Sequence, residues 1–166
     1  MRIKSILAVS ILVLSLLFSS CSQNQQAENT KQIVSSLETI NVAQFKELKN
    51  RYKDKVILVN FFASWCPPCN QETPGFVRVY NKLKDKGFII LAFSIDDNVD
   101  DAVKFVNKYG ITYPVYHADR SLEAYFNVST IPTSVFYKKG GTLYNLHVGY
   151  IDEKDLENYI LDLLNK

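Results

Sequence analysis

The sequence predicts an α/β fold, a three-layer sandwich with a mixed parallel and antiparallel central sheet and helices on both faces. Three observations carry this. Val56–Phe62 and Phe88–Phe93 are almost uninterrupted apolar runs rich in β-branched and aromatic residues, as strands covered on both faces require. The segment between them has helical character, which makes a right-handed parallel crossover. Downstream, Thr133–Tyr137 and Leu143–Val148 flank Lys138-Lys139-Gly140-Gly141, a hairpin signal that adds antiparallel strands.

Taken in order, residues 1–20 read as a targeting segment. Arg2 and Lys4 precede an uncharged apolar run, Ile6–Phe18, that is short for a membrane span. The run ends in Leu17-Phe18-Ser19-Ser20-Cys21, which resembles the bacterial lipoprotein cleavage box, with Phe18 where Leu is usual, and so implies lipid attachment at Cys21. An ordinary cleaved signal or an uncleaved anchor are the alternatives, and each takes the chain out of the cytoplasm. Residues 21–34 form a tether, polar and without apolar period as far as Gln32, which cannot offset the entropy of ordering itself. Residues 35–166 form the one folded domain. Removing Arg2 and Lys4 from the 19 basic residues leaves 17 against 17 acidic ones, so neither nucleic acid nor another polyanion is an expected partner.

Within the domain, Asn41 caps a helix that turns Val42, Phe45 and Leu48 inward. The first central strand follows, then helix from Cys66 to about Lys86, broken by Pro74 and closed at Gly87, then the second strand. Val99, Ala102, Val103, Val106 and Tyr109 share one helical face between an Asn98 cap and a Gly110 stop. Tyr113–His117 reads as a short strand and Ser121–Phe126 as a short helix. After the hairpin, Leu156, Tyr159, Ile160, Leu163 and Leu164 give an amphipathic final helix.

The chemistry lies in Trp65-Cys66-Pro67-Pro68-Cys69, where a buried strand ends and a helix begins. There Cys66 meets unsatisfied N–H groups and the positive end of the helix dipole, which favours a thiolate. Cys66 is the expected nucleophile in disulfide exchange and Cys69, one turn on, the resolving thiol. A pair this close closes too short a loop to be a staple. Pro67 and Pro68 suit a helix start but remove two donors, so the pair leans towards a reductant. Zinc would need two more ligands, and only His117 and His147 exist. Haem attachment would need His where Asn70 stands. A Cu(I) carrier would want further soft or imidazole ligands. A non-catalytic metal carrier remains the alternative from another class, with an oxidase or isomerase the alternative within redox chemistry.

Phe61–Cys69, followed by Pro74 and by Ile131-Pro132-Thr133, resembles the thioredoxin superfamily, specifically its exported TlpA/ResA-like branch, over residues 37–166. The resemblance implies a thioredoxin-like sandwich with an extra helix–strand insertion at Asp96–Tyr116, in which no residue is read as chemical and Tyr109, Tyr113 and Tyr116 are read as packing or rim. It implies a cis Ile131–Pro132 bond facing the disulfide, with Ile131 offering its backbone to an extended substrate and Trp65, Pro67 and Pro68 lining the same groove. Asn60 stands where ordinary thioredoxins carry a buried proton-handling Asp, and Glu72 matches the Glu that shares in proton handling in this branch. Its bland alternative is a solvated helix residue, as Trp65 covering the core is for Trp65. Ala63 departs from the Thr of the peroxide-reducing branch. The implied protein is a monomeric, extracytoplasmic, membrane-anchored thiol–disulfide oxidoreductase with no cofactor beyond the Cys66–Cys69 disulfide and no metal. It would act on disulfides of exported proteins, apocytochromes c awaiting haem among them, and draw electrons from a membrane donor.

Overall fold

A computed structural model describes residues 33–166. The targeting segment, Cys21 and the tether as far as residue 32 lie outside the described residues. In chain order the elements are β1 (Thr39–Ile40), α1 (Val42–Arg51), β2 (Val56–Phe62), α2 (Pro67–Leu83), β3 (Phe88–Ser94), α3 (Val99–Tyr109), β4 (Val115–Ala118), α4 (Arg120–Phe126), β5 (Thr133–Tyr137), β6 (Leu143–Val148) and α5 (Glu153–Leu164). They build one sheet in the order β1-β4-β3-β2-β5-β6. β1 to β4 run parallel, while β5 pairs antiparallel with both β2 and β6.

Every residue of β2 and β3 is buried, which explains why these strands carry no polar alternation. Side chains of β2 alternate between two helical layers. Phe61 meets Phe126 of α4 at 5.0 Å between centroids, and Phe45 of α1 meets Phe93 at 5.9 Å, whereas Phe62 meets Phe105 of α3 at 4.9 Å. Asn60, two residues before Phe62, therefore faces the α2 and α3 layer. Helix starts follow local chemistry. Asn41 Oδ1 accepts from Gln44 N–H and Gln44 Oε1 accepts from Asn41 N–H, each at 3.0 Å, a reciprocal cap. Asn98, Asp119 and Asp152 cap α3, α4 and α5.

Four boundaries differ from the sequence reading. β1 is an added strand, two residues beside His117 and Ala118. β4 begins at Val115 rather than Tyr113, because Pro114 has no N–H to give a ladder, and it runs on to Ala118. α4 starts at Arg120 because Asp119 Oδ1 accepts from Leu122 N–H at 2.9 Å. α2 passes through Pro74 without a break and continues into a 3-10 turn, Lys84–Lys86. Pro74 merely leaves the Asn70 carbonyl without its helical donor.

α2 and α5 lie close enough that a Cβ on Gly75 would stand 3.0 Å from Glu153 Cβ. Gly75→Val is accordingly expected to lower stability by about 1–3 kcal/mol through overpacking, read as a lower urea midpoint at unchanged m-value. The nearby Arg78–Glu153 and Lys82–Glu157 pairs are partly exposed and contribute little.

Candidate active site

β2 ends at Phe62 and α2 begins at Pro67, so the intervening residues form a tight turn at the C-terminal end of the central strand. Cys66 is the N-cap of α2, extended at φ −85° and ψ 112°, with Pro67 and Pro68 in the first helical positions. Its Sγ accepts from Cys69 N–H at 3.3 Å. With both prolines lacking N–H groups, that donor is the first the helix presents to the sulfur. Cys66 and Cys69 are joined in a disulfide. Cys69 is fully buried and Cys66 is 2% exposed, while Trp65 beside it is 65% exposed and Pro67 is exposed. Trp65 therefore does not cover the core.

Beneath Cys69, one helical turn along the same buried face, lies Glu72 at 3% exposure. Its Oε1 accepts from Asn60 Nδ2 at 3.1 Å and its Oε2 from Ile151 N–H at 3.2 Å. Asn60 Nδ2 also donates to the Ser134 hydroxyl at 3.2 Å, so Asn60 links β5 to the Glu72 carboxyl of α2. Burial pushes the Glu72 pKa from 4.5 up to about 8, and the Ile151 and Asn60 hydrogen bonds offset only part of that. A carboxyl so placed exchanges a proton with a thiol of ordinary pKa, about 8.5, at little cost in either direction. Buried Tyr113 has its phenol pushed upward by desolvation first and by the Glu72 charge second.

The turn before Cys66 is braced from two sides. Buried Asp96, just past β3, accepts from Ser64 N–H at 3.0 and 3.1 Å, from the Ser64 hydroxyl at 2.6 Å and from the Ser94 hydroxyl at 2.6 Å. On the other side Asn70 Nδ2 donates to the carbonyls of Ser64 and Cys66, each at 2.9 Å, and Asn70 Oδ1 accepts from the Tyr109 hydroxyl at 2.7 Å. Asp96 and Tyr109 thus lie within the insertion that the sequence reading left without chemistry, and Tyr109 is a hydrogen-bonding residue as well as a packing one. The signal available for Asp96 is an Asp closing Ser94-Ile95-Asp96 directly after an apolar strand. Asp96→Ala is expected to cost about 2 kcal/mol or more, since it strands the Ser64 N–H and two hydroxyls; a denaturant midpoint measured beside wild type checks it.

Facing the turn, the Ile131–Pro132 bond is cis. Pro132 is buried and Ile131 half-buried. Thr133 pairs with Phe61 of β2 and with Val148 of β6, and the Pro132 carbonyl accepts from Gly149 N–H at 2.8 Å. Cys66, Cys69, Glu72, Trp65, Pro67 and Pro68 therefore lie on one turn and helix, and Ile131 and Pro132 on the neighbouring strand's start. The two histidines do not join them in one cluster. His117 is on β4 and His147 on β6, with three strands between, and each ring nitrogen Nε2 meets a backbone carbonyl, that of Asp96 or of Tyr150.

Residues 26–145 match the AhpC/TSA family. The chain is 36% identical over 116 residues to the thiol–disulfide oxidoreductase ResA of Bacillus thuringiensis, covering 69% of this chain and 66% of that protein. It is 30% identical over 107 residues to the thioredoxin-like protein YneN of Bacillus subtilis, covering 63% of each. The matched stretch is thus a little under two thirds of these relatives' own length. Among solved structures, a thiol:disulfide interchange protein of the thioredoxin family from Chlorobium tepidum aligns with TM-score 0.67 and 30% identity, over 70% of this chain and 84% of that one.

Proposed function

The chain belongs to the AhpC/TSA family and has a thioredoxin-like fold, and from that premise we propose that it is a thiol–disulfide oxidoreductase that reduces disulfides of exported proteins. The observation that carries this reading is a disulfide capping a helix with a buried carboxyl one turn behind its second sulfur. In the reduced protein the Cys66 thiolate attacks a substrate disulfide, forming a mixed disulfide and releasing one substrate thiolate. Glu72 takes the proton from Cys69, whose thiolate attacks Cys66 Sγ and expels the second substrate thiolate. Two electrons pass to the substrate, and the Cys66–Cys69 disulfide is left to be reduced by a membrane electron donor. Ile131 and the cis Pro132 present the backbone edge along which an extended substrate lies, with Trp65, Pro67 and Pro68 as its apolar margin.

Several parts of this reading rest on the sequence. Ala63, where the peroxide-reducing branch of the fold has Thr, favours disulfide exchange. The apolar N-terminal run and Cys21 support an extracytoplasmic protein held at a membrane by a lipid, acting as a monomer. Maturation of cytochromes c is the client process that the TlpA/ResA-like resemblance supports.

The test of direction is the reduction potential of the Cys66–Cys69 pair, followed by Trp65 fluorescence in defined dithiol buffers. A reductase is expected near the thioredoxin value of about −270 mV; a value near that of DsbA, about −120 mV, makes the protein an oxidase.

A further inference from the structure

We propose that Tyr109 of α3, acting through the Asn70 side chain, positions Cys66 for nucleophilic attack, so that the helix of the insertion sets how readily the dithiol reacts. The inference rests on the reading of Cys66 as the attacking thiol, and goes beyond it by giving α3 a part in the chemistry.

The start of α2 has few main-chain donors to hold its cap. Pro67 and Pro68 carry no N–H, which leaves the Cys69 N–H, at 3.3 Å, as the first group to meet the Cys66 sulfur. One turn further on, Pro74 leaves the Asn70 carbonyl without its helical partner. What holds the Cys66 carbonyl is Asn70, through its N–H at 3.1 Å and its Nδ2 at 2.9 Å. Nδ2 also reaches the Ser64 carbonyl at 2.9 Å, but Ser64 is already fixed by Asp96 through its N–H and hydroxyl. The distinct contribution of Asn70 is therefore the hold on Cys66.

The residue type fits this task. The Asn70 amide donates to two carbonyls and accepts from two groups of α3, the Tyr109 hydroxyl at 2.7 Å and Lys108 Nζ at 3.4 Å, which uses its full capacity. A carboxylate here could accept from α3 but not donate to the turn, and an ammonium could do only the reverse. The two α3 donors fix which end of the amide faces the turn. Tyr109 is itself held, since its ring packs on Phe105 at 4.7 Å between centroids and Phe105 packs on Phe62 at 4.9 Å. Lys108 Nζ lies over the Tyr109 ring, 4.7 Å from its centroid. Contacts thus run without a gap from the central strand through α3 to the carbonyl of the nucleophile.

Their effect falls on the reduced protein. While the disulfide is closed, Cys69 keeps the Cys66 sulfur at the helix start. Once it opens, the sulfur stays beside the Cys69 N–H and the positive end of the helix dipole only as long as the Cys66 backbone keeps its orientation. Asn70 supplies that constraint, and with it the preference for thiolate on which attack depends.

The test is the pH profile of alkylation of the reduced, full-length protein by iodoacetamide, with mass spectrometry assigning the label to Cys66 rather than to buried Cys69. Asn70→Ala and Tyr109→Phe are each expected to raise the Cys66 thiol pKa by about half a unit to one unit, the worth of one hydrogen bond. At neutral pH the alkylation rate falls by up to about threefold, because the smaller thiolate fraction is partly offset by higher nucleophilicity. The double variant is expected to shift no further than Asn70→Ala alone, since Tyr109 acts through Asn70. Neither substitution changes a charge. Glu72 of α2, Asp96 beyond β3 and Lys108 of α3, the charged groups that face this turn, are all retained, so a shift reports geometry. Tyr109→Phe keeps the packed ring and stays readable even where Asn70→Ala does not fold. A lower denaturant midpoint with an unmoved thiol pKa in the variants makes the contacts a structural clamp and overturns the positioning role. Additive shifts overturn the route through Asn70. A wild-type protein that exchanges no disulfide overturns the oxidoreductase reading and this one together, whereas wild-type exchange with variants that titrate like wild type overturns this one alone.

Discussion

Cys66→Ala is expected to abolish disulfide exchange, and Cys69→Ala to stop the same reaction one step later with the partner covalently attached. The difference follows from position. Cys66 is the helix cap beside exposed Trp65, whereas Cys69 is sealed in the core and reaches only the sulfur of Cys66. Without Cys69 the mixed disulfide has no internal thiol to resolve it. Non-reducing electrophoresis of the Cys69→Ala protein from intact cells should show a slower band that dithiothreitol removes, and its partner should carry an exposed cysteine. Residual exchange by Cys66→Ala at a substantial fraction of the wild-type rate is the result that sinks the assignment of the nucleophile. Folding should be little affected, because the disulfide joins residues separated by only three positions.

Glu72→Gln is expected to have opposite effects on activity and on stability. Removing the proton acceptor slows resolution of the mixed disulfide by about 10²-fold or more and flattens the pH dependence near 8, which stopped-flow Trp65 fluorescence reads. The stability effect has a definite sign. An unfolded Glu72 loses its proton near 4.5 and the folded one near 8. Between those values the native state holds a proton that the unfolded chain has released, so this carboxyl's favourable contribution, complete below pH 4.5, is lost as pH rises to about 8. Glutamine carries no such loss. The variant should match wild type at pH 4 and exceed it at pH 9 by on the order of 3–5 kcal/mol, the full shift converted at 1.36 kcal/mol per unit. Equal stability at both pH values would mean that the carboxyl is hydrated in the native protein.

Which features are legible in the sequence depends on whether a local signal exists. β2 and β3 are legible because double-sided burial removes every polar residue but Asn60 and Ser94 from long runs. α1 and α3 are legible through Asn caps, and α3 also through the left-handed Gly110 that ends it. β1 is not, since two residues carry no period and the strand exists only because β4 offers it a partner. The site divides along the same line. Cys66, Cys69 and Glu72 lie within two helical turns, so their spacing is itself the signal. Asp96, Asn70 and Tyr109 act across 32 and 39 residues of sequence, and Ser134 meets Asn60 across 74. Such partners are set by the sheet order, which no spacing along the chain encodes. Pro74 misleads for a related reason: a helix packed along its length against β3 and α5 tolerates one missing hydrogen bond that an isolated helix would not.

The double brace on Ser64 bears on how the redox potential changes with temperature. Opening a disulfide normally releases conformational freedom to the chain around it, and that gain favours the dithiol more as temperature rises. Here the turn is held at Ser64 by Asp96 and at the Ser64 and Cys66 carbonyls by Asn70, none of which depends on the sulfur–sulfur bond. Breaking that bond frees two side chains and little backbone. Reduction is thus expected to release little backbone entropy, which leaves the two freed side chains, the thiols and their hydration to set the temperature coefficient of the potential.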